Sequence, residues 1–215
     1  YAYFMAVQYG NASIATILQF IGPFFIIAYQ AMFRHLPPRR IEIISAIIAF
    51  LGVFIIATHG QFNHLAMTLS VLIWGLISAI GVATNTLIPQ NMLREGRVPS
   101  LIITGWGLLF AGLTLVLIHP SQPHIPNVPS VWLYVLGILV IGTLIPFQLA
   151  NNSLKYIDAT TFSLMDAFEP LSATIGSVLI FHLQMTGADI LGSILVIVAV
   201  LAINIRIPQK KLKSN

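Results

Sequence analysis

The sequence predicts an all-α polytopic membrane protein, a bundle of apolar helices, and three observations lead to that fold class. Of its 215 residues, 57% are hydrophobic and 7% are charged, whereas about a quarter of the residues of a soluble domain are charged. The apolar residues form continuous stretches long enough to cross a bilayer. Lysine and arginine occur only in alternate connections between these stretches, which is the positive-inside pattern of membrane proteins. Lipid must therefore cover most of the surface.

The apolar stretches define the individual helices. A hydrocarbon core about 30 Å thick requires roughly 20 mainly apolar helical residues. Seven stretches satisfy this requirement: about 11–33, 41–58, 65–88, 99–118, 131–150, 159–181 and 188–205. Residues 1–7 are predicted to be the end of an eighth helix. Gly75, Ala79 and Ala83 are spaced by four residues and predict a ridge for close helix packing.

The basic residues also orient the predicted helices. The segments 34–40, 92–98, 152–158 and the tail carry all ten Lys and Arg residues, so these segments and the C-terminus are predicted to be cytoplasmic. Residues 59–64, 119–130 and 182–187 then face outward. We expect an integral protein of a bacterial plasma membrane. Its net charge of +4 comes from the cytoplasmic segments and does not indicate nucleic-acid binding.

Histidines gather at the predicted outer ends of the helices. Five of the six lie there: His59, His64, His119, His124 and His182. They are either uncharged polar residues at the membrane interface or sensors of external protons, because histidine titrates near neutral pH. The chain has no cysteine, which excludes disulfides, thiolate catalysis and cysteine-based metal sites. No metal site and no cofactor are predicted.

The sequence contains an internal repeat. A shift of 147 residues aligns Tyr9 with Tyr156, Pro23 with Pro170 and His35 with His182, without gaps. The same shift pairs two predicted N-caps, Asn11 and Asp158, whose short side chains suit a free backbone N–H. It also pairs Glu42 with Asp189, each in the first turn of a predicted helix, where the helix dipole favours a negative charge.

The two copies of the repeat are five predicted crossings apart, and an odd number of crossings reverses direction. The repeats are therefore expected to be inverted in the membrane, which is typical of secondary transporters with alternating access. The span 65–88 has no counterpart in the first copy, so we expect about 80 further residues before Tyr1 and ten spans in two halves of five. The predicted domains are 1–60, the end of the first repeat, 61–206, the second repeat, and 207–215, a basic cytoplasmic tail.

Two segments carry a resemblance to a known family. They are AVQYGNASIATILQFIGPFF in the first half and LKYIDATTFSLMDAFEPLSATIGSVLIF in the second, each with a small-residue helix start and a mid-helix proline. With the inverted repeat, they resemble the drug/metabolite transporter superfamily, specifically its ten-helix EamA-like branch. The Glu169-Pro170 pair matches that family. Its frequent Gly-Glu pair is replaced here by Arg34-His35 and Phe181-His182, so no role is transferred for that glutamate.

The resemblance implies a single-chain secondary carrier with a central cavity between its halves. Such carriers export or exchange small metabolites, amino acids or drugs, usually driven by protons or by substrate exchange. The implied partners are a small-molecule substrate, protons and the lipid bilayer, with a monomer or homodimer as the assembly. The resemblance does not imply an enzyme.

Two acids carry the functional prediction. Asp166 and Glu169 lie within the predicted span 159–181, about eight to eleven residues from its start, and three positions apart on one helix face together with Ser163. A charge at mid-membrane costs at least about 2.5–3.5 kcal/mol, and no Lys or Arg lies within a predicted span. The acids are therefore protonated, in a wet cavity, or paired with a cationic substrate or ion; the alternative is that they are neutral and only hydrogen-bond to neighbouring helices.

Prolines and amides complete the predicted site. Pro170 clashes with the carbonyl of the residue four positions earlier, Asp166, so a kink that frees carbonyls beside the acids is expected. Gln19 is the repeat partner of Asp166 and is expected to approach the acids. The predicted kinks are Pro23, Pro89, Pro146 and Pro170, and the further polar candidates for the cavity are Asn85 and Gln148.

The sequence therefore predicts a secondary-active transporter, an exporter of small metabolites, amino acids or drugs, coupled to protons through Asp166 and Glu169. A facilitator or exchanger without proton coupling and a non-transporting membrane scaffold are the alternatives. Two acids without a buried base favour cations or zwitterions as substrates, while amides and aromatic residues also suit sugars.

Overall fold

The computed structural model describes residues 1–61, 68–118, 126, 128–182 and 184–203. Three of the predicted outer histidines (His64, His119, His124) and the basic tail lie outside these residues. The described residues form α1 (Ala2–Tyr9), α2 (Ala12–Gln19), α3 (Gly22–Phe33), α4 (Arg40–Thr58), α5 (Leu69–Arg94), α6 (Ser100–Ile118), α7 (Pro129–Leu139), α8 (Ile145–Ser153), α9 (Ala159–Met165), α10 (Phe168–Phe181) and α11 (Gly187–Ile203). No strand occurs among them.

The helices have the length and composition of membrane spans. Within the described residues, five segments are long and apolar enough to cross a membrane: Ala12–Phe33, Arg40–Thr58, Leu69–Arg94, Ser100–Ile118 and Pro129–Ser153. Gly187–Ile203 is a shorter apolar helix. The predicted fold class, an all-α polytopic membrane protein, is confirmed.

The predicted N-caps are confirmed as well. The Asn11 side chain accepts a hydrogen bond from the N–H of Ile14 at 2.9 Å, and Asp158 accepts one from the N–H of Thr161 at 2.8 Å. Each cap satisfies one of the N–H groups that the first turn of a helix leaves without a partner. The start of each of these two repeat-equivalent helices is therefore determined locally, by a polar residue placed directly before an apolar run.

Two predicted helices are interrupted. The sequence predicts one helix over 11–33 and another over 159–181, and both predictions are wrong as to continuity. Turns at residues 20–21 separate α2 from α3, and turns at residues 166–167 separate α9 from α10. The two breaks are related by the 147-residue shift, since Phe20 corresponds to Ala167.

The prolines explain these interruptions. Pro23 and Pro170 lack a backbone N–H and their rings clash with the preceding turn. Each helix ends four or five positions before its proline, at Gln19 and at Met165, and a new helix starts with the proline in its first turn. In that turn a missing N–H has no cost, because it has no intrahelical partner. The predicted kinks at these prolines are therefore two-residue turns between successive helices, and Ala12–Phe33 remains one apolar span.

The other two prolines behave differently from each other. Pro89 lies inside α5, which continues to Arg94. Pro146 follows a five-residue π-helical turn, Val140–Leu144, that joins α7 to α8. The wider turn accommodates the proline within a span that remains continuous over Pro129–Ser153. Of these two prolines, only Pro146 is accompanied by an interruption of the regular α-helix.

The chain divides into two compact units that do not coincide with the predicted repeat boundaries. The described residues within 2–83 and 163–203 form what we call the first unit; residue 1 and the described residues within 84–162 form the second unit. The first unit contains both proline-associated turns, at residues 20–21 and 166–167.

Antiparallel packing of α4 against α11 builds the core of the first unit. A Cβ on Gly52 would lie 2.9 Å from the carbonyl oxygen of Gly192, and a Cβ on Gly192 would lie 2.8 Å from the Ile56 side chain. A Cβ on Gly52 would also lie close to Val196. The later residue of α4, Ile56, therefore approaches the earlier residue of α11, Gly192, so the two helices run antiparallel. The two helices are repeat-equivalent, and their opposite directions agree with an inverted repeat.

The predicted small-residue ridge packs against the broken span of the first repeat. A Cβ on Gly75 would clash with the Leu18 side chain, and a Cβ on Gly22 would lie 3.3 Å from the carbonyl oxygen of Ala79. Ala79 and Ala83 are both buried. The prediction of a packing ridge is confirmed, and it holds α2 and α3 close to α5.

In the second unit, polar side chains join α6 to α8. Thr104 Oγ1 lies 2.9 Å from Gln148 Oε1 and accepts a hydrogen bond from Asn151 at 3.0 Å. The Gln148 amide also donates to Ser100 Oγ at 3.0 Å. Large apolar side chains cover the exposed surfaces of these helices, as expected for surfaces that face lipid.

Candidate functional site

The two predicted acids lie on either side of the break between α9 and α10. Asp166 is in the turn, and Glu169 is the second residue of α10. The prediction that they lie on one face of a continuous helix is therefore wrong. The backbone N–H of Glu169 donates to the carbonyl oxygen of Asp166 at 2.9 Å. The Asp166 carbonyl, which was expected to have no hydrogen-bond partner, therefore has one within the turn.

A large cavity in the first unit begins at this break. It has a volume of about 700 Å³. Gln19, Glu169 and Pro170 line it at the level of the helix breaks, and His59, Gln61 and Thr186 line it where α4 ends and α11 begins. Tyr3 and Thr16 form part of its wall, and their hydroxyl oxygens lie 3.2 Å apart. A small metabolite fits a space of this volume.

A second, smaller cavity adjoins the first. We call it the small chamber; its volume is about 60 Å³, and it is lined by Thr16, Gln19, Phe20, Pro23, Val82, Ser163, Asp166, Glu169 and Pro170. Four of these residues, Thr16, Gln19, Glu169 and Pro170, line both cavities. Asp166 and Ser163 line only the small chamber. The structure thus places all four polar candidates of the first unit, Gln19, Ser163, Asp166 and Glu169, around one space.

The four polar groups differ in their exposure. Glu169 is exposed, Asp166 is partly buried, and Ser163 is fully buried. Because Glu169 lines the large cavity as well, its carboxylate is accessible to a molecule of metabolite size. The Asp166 carboxyl is accessible only from the smaller space.

The charges around the two cavities are mostly negative. Among the described lining residues the acids are Asp166, Glu169 and Asp189, His59 is the one basic side chain, and no Lys or Arg is present. A cation that enters the large cavity therefore meets Glu169 with no fixed positive charge beside it.

A hydrogen-bonded pair that the sequence does not predict lies at the far end of the large cavity. His59 Nδ1 is 2.7 Å from Asp189 Oδ1. The other Asp189 oxygen accepts hydrogen bonds from the N–H of Thr186 at 2.8 Å and from its hydroxyl at 2.9 Å. The spacing of Thr186 and Asp189 is the local signal of a capping box, whereas the His59 contact joins residues 130 positions apart.

The repeat-equivalent acid has a different partner. Glu42 accepts a hydrogen bond from the N–H of Arg39 at 2.9 Å and pairs with the Arg39 guanidinium at 2.7 Å. Arg39 and Thr186 correspond under the 147-residue shift, so both copies cap this helix in the same way. The predicted first-turn placement of both acids is confirmed.

Two further candidates belong to the second unit. Asn85 is exposed on α5, and Gln148 lies in the hydrogen-bonded network between α6 and α8. The oxygen and the nitrogen of the Gln148 amide both have partners there. This arrangement is that of a residue that joins helices.

Comparison with known proteins gives consistent results. A family model described as the EamA-like transporter family matches residues 1–58 and 69–205. An uncharacterized inner membrane transporter of Salmonella typhimurium, YicL, is 29% identical over 94% of this chain and 67% of its own length. An uncharacterized transporter of Archaeoglobus fulgidus is 22% identical over 93% of this chain and 70% of its own.

A crystal structure shares the fold. It superposes with a TM-score of 0.77 at 16% identity and covers 94% of this chain and 70% of the other. At this identity the likeness extends to the arrangement of helices and not to the chemistry of the site.

Proposed function

Because this chain belongs to the EamA-like transporter family, as its two repeat segments indicated, we propose that it is a secondary-active membrane transporter of small cationic or zwitterionic metabolites, which binds them at Glu169. The observation that carries the proposal is an exposed carboxylate at a helix break in a cavity of about 700 Å³. No Lys or Arg is among the described residues that line this cavity.

The depth of the carboxylate in the membrane gives it its function. A charge at this depth costs several kcal/mol without a counter-ion, so a substrate that supplies a positive charge relieves that cost when it binds. An anion at the same place would be repelled by Glu169 and Asp166. The amide of Gln19 and the hydroxyls of Thr16 and Tyr3 line the same cavity and provide hydrogen bonds for the polar remainder of a metabolite.

The position of the cavity supports alternating access. It extends from the two helix breaks to the ends of α4 and α11, which the positive-inside pattern assigns to the outer side of a bacterial plasma membrane with a cytoplasmic C-terminus. Broken helices at the interface of inverted repeats are where transporters bind substrates and ions. We infer an outward-facing arrangement of an exporter, driven by protons that exchange at the two acids.

Transport into proteoliposomes tests this function. Purified full-length protein is reconstituted, and the uptake of radiolabelled putrescine, choline, L-leucine and D-glucose is measured with and without an imposed pH gradient. We expect uptake of at least one amine or amino acid above that of empty liposomes, and acceleration by the gradient. Uptake of glucose alone would contradict the substrate class, and uptake of an amine without any effect of pH would indicate a facilitator or exchanger.

A matched pair of variants ties transport to the site. Glu169→Gln removes the charge in the cavity, and Glu95→Gln removes an exposed acid whose partner is Arg97 in a connection. We expect amine uptake to fall at least tenfold in the first variant and to remain unchanged in the second. Equal activity of both variants would refute the role of Glu169, and inactivity of the wild type toward every probe would favour a scaffold.

A further inference from the structure

The small chamber lies where the two repeats meet, and its lining is built from repeat-equivalent residues. Under the 147-residue shift, Thr16 corresponds to Ser163, Gln19 to Asp166, and Pro23 to Pro170, and both members of each pair line the chamber. A space lined by three such pairs lies on the pseudo-two-fold axis that relates the repeats. Both broken spans can therefore respond to what the chamber contains.

The size of the chamber limits what it can hold. Its volume of about 60 Å³ corresponds to about two water molecules, since each takes up about 30 Å³ in the liquid. A metabolite that fits the cavity of about 700 Å³ is too large to enter. The occupant is consequently water, a proton carried by a side chain, or a small inorganic cation.

The charge of the lining selects among these occupants. Among the described lining residues, Asp166 and Glu169 are the only titratable groups: α2 contributes Thr16 and Gln19, α5 contributes Val82, and the remainder are likewise uncharged. Two carboxylates this close do not both remain ionised at low cost without a cation. A proton is the smallest positive charge that satisfies them, and it needs no shell of oxygen ligands.

We propose that the small chamber is the coupling-ion site of this transporter, with the proton held on the Asp166 carboxyl, while Glu169 alone binds the substrate cation. The second assignment rests on the function proposed above. Glu169 lines both cavities and so connects the two events. A cation bound at Glu169 supplies the positive charge that the proton supplied before. The proton then passes from the Asp166 carboxyl to water.

Coupling between the two sites is reciprocal. A bound cation weakens the binding of the proton, and a bound proton weakens the binding of the cation by the same factor. The two ligands exclude each other by charge and not by occupying the same space. Loss of Asp166 should therefore uncouple transport from the pH gradient without abolishing binding of the cation.

Infrared difference spectroscopy detects the proton without any substrate. Full-length protein in lipid films is titrated between about pH 9 and pH 5, above the range near pH 4 in which exposed carboxyls protonate. We expect the carbonyl band of a protonated carboxyl to appear in the wild type and to be absent from Asp166→Asn. The exposed-acid variant Glu95→Gln serves as the control and should retain the band.

Isotope labelling makes the test independent of whether a variant folds. Wild-type protein labelled with 13C at the aspartate carboxyl should show the band at lower frequency, whereas a band from Glu169 would not move. The other described aspartates, Asp158 and Asp189, cap helices and accept backbone hydrogen bonds, and the absence of the band from Asp166→Asn distinguishes them from Asp166. A band that does not respond to the label would overturn the proposal.

Sodium is the remaining competitor for the chamber. The titration is repeated with sodium chloride replaced by potassium chloride at equal ionic strength. We expect the pH at which the band appears to be the same in both salts; suppression of the band by sodium would identify an inorganic cation site and refute the proton assignment. Because no substrate is added, this result does not depend on the transport assay, and failure of either experiment leaves the other interpretable.

Discussion

Replacement of Gly192 by alanine tests the packing that holds the first unit together. The added Cβ would lie 2.7 Å from the carbonyl oxygen of Gly52 and 3.1 Å from the N–H nitrogen of Ile56. Both atoms belong to the backbone of α4, so no side-chain rotation relieves the contact. The axes of α4 and α11 must move apart along a crossing that is otherwise closely packed, with Val53 and Val196 fully buried.

The size of the effect follows from comparison with a second glycine. Gly105 lies in α6, where an added Cβ would meet no atom within 4 Å. Both substitutions gain the same helix propensity, about 1 kcal/mol, so the difference between them isolates the overpacking. Overpacking of a close contact costs typically about 1–3 kcal/mol. We expect Gly192→Ala to be less stable than Gly105→Ala by that amount.

Thermal unfolding of the two variants in the same detergent measures this difference. One kcal/mol corresponds to roughly 2–4 °C in a chain of this size, so the midpoints should differ by roughly 2–12 °C, with Gly192→Ala the lower. Equal midpoints would show that α4 and α11 are not in close backbone contact, and the antiparallel arrangement of the repeat-equivalent helices would then have to be revised.

Three further experiments, with five substitutions, test separate parts of the structure. Asp189→Ala removes the cap of α11 and the partner of His59, and should lower the free energy of unfolding by about 1–2 kcal/mol. His59→Ala should lower it by less than about 1 kcal/mol, because the His59 side chain is 59% exposed. Chemical denaturation compares the two variants, and a larger loss in His59→Ala would contradict the capping role of Asp189. The isosteric change Thr104→Val removes the hydroxyl at the centre of the network between α6 and α8 and should cost about 1–3 kcal/mol, measured against Thr104→Ser, which keeps the hydroxyl and should cost less. Asp166→Asn should abolish the acceleration of amine uptake by a pH gradient while retaining exchange, and a variant that still responds to the gradient would argue against the chamber as the coupling site.

Much of the architecture could be predicted from the sequence because the signals are local. The length of each apolar stretch is set by the thickness of the bilayer, and Asn11 and Asp158 cap helices through groups three residues away. The 147-residue shift also anticipates details of backbone conformation: the paired residues His35 and His182 have left-handed φ angles of 52° and 55°. The two broken spans have breaks at matching positions because both copies of the repeat carry the proline.

The tertiary structure decided what the prolines do. A proline inside a membrane helix can kink it, as the sequence predicted, or end it. Phe20 and Ala167, which occupy the two turns, are both buried in the core of the first unit. Burial of the turns in protein allows the chain to break there, because the freed backbone groups and the side chains of the turns are not exposed to lipid.

The sequence by itself determined that the chain is a membrane protein with inverted repeats, since composition, charge pattern and periodicity are properties of the chain alone. It also identified Asp166 and Glu169 as unusual, because no basic residue lies in their helix. Only the tertiary structure separated these two acids, placing Glu169 against a cavity of metabolite size and Asp166 against a chamber for about two waters. The volume beside a side chain depends on which helices pack around it, and residues more than a hundred positions apart, such as Gln19 and Asp166, decide it.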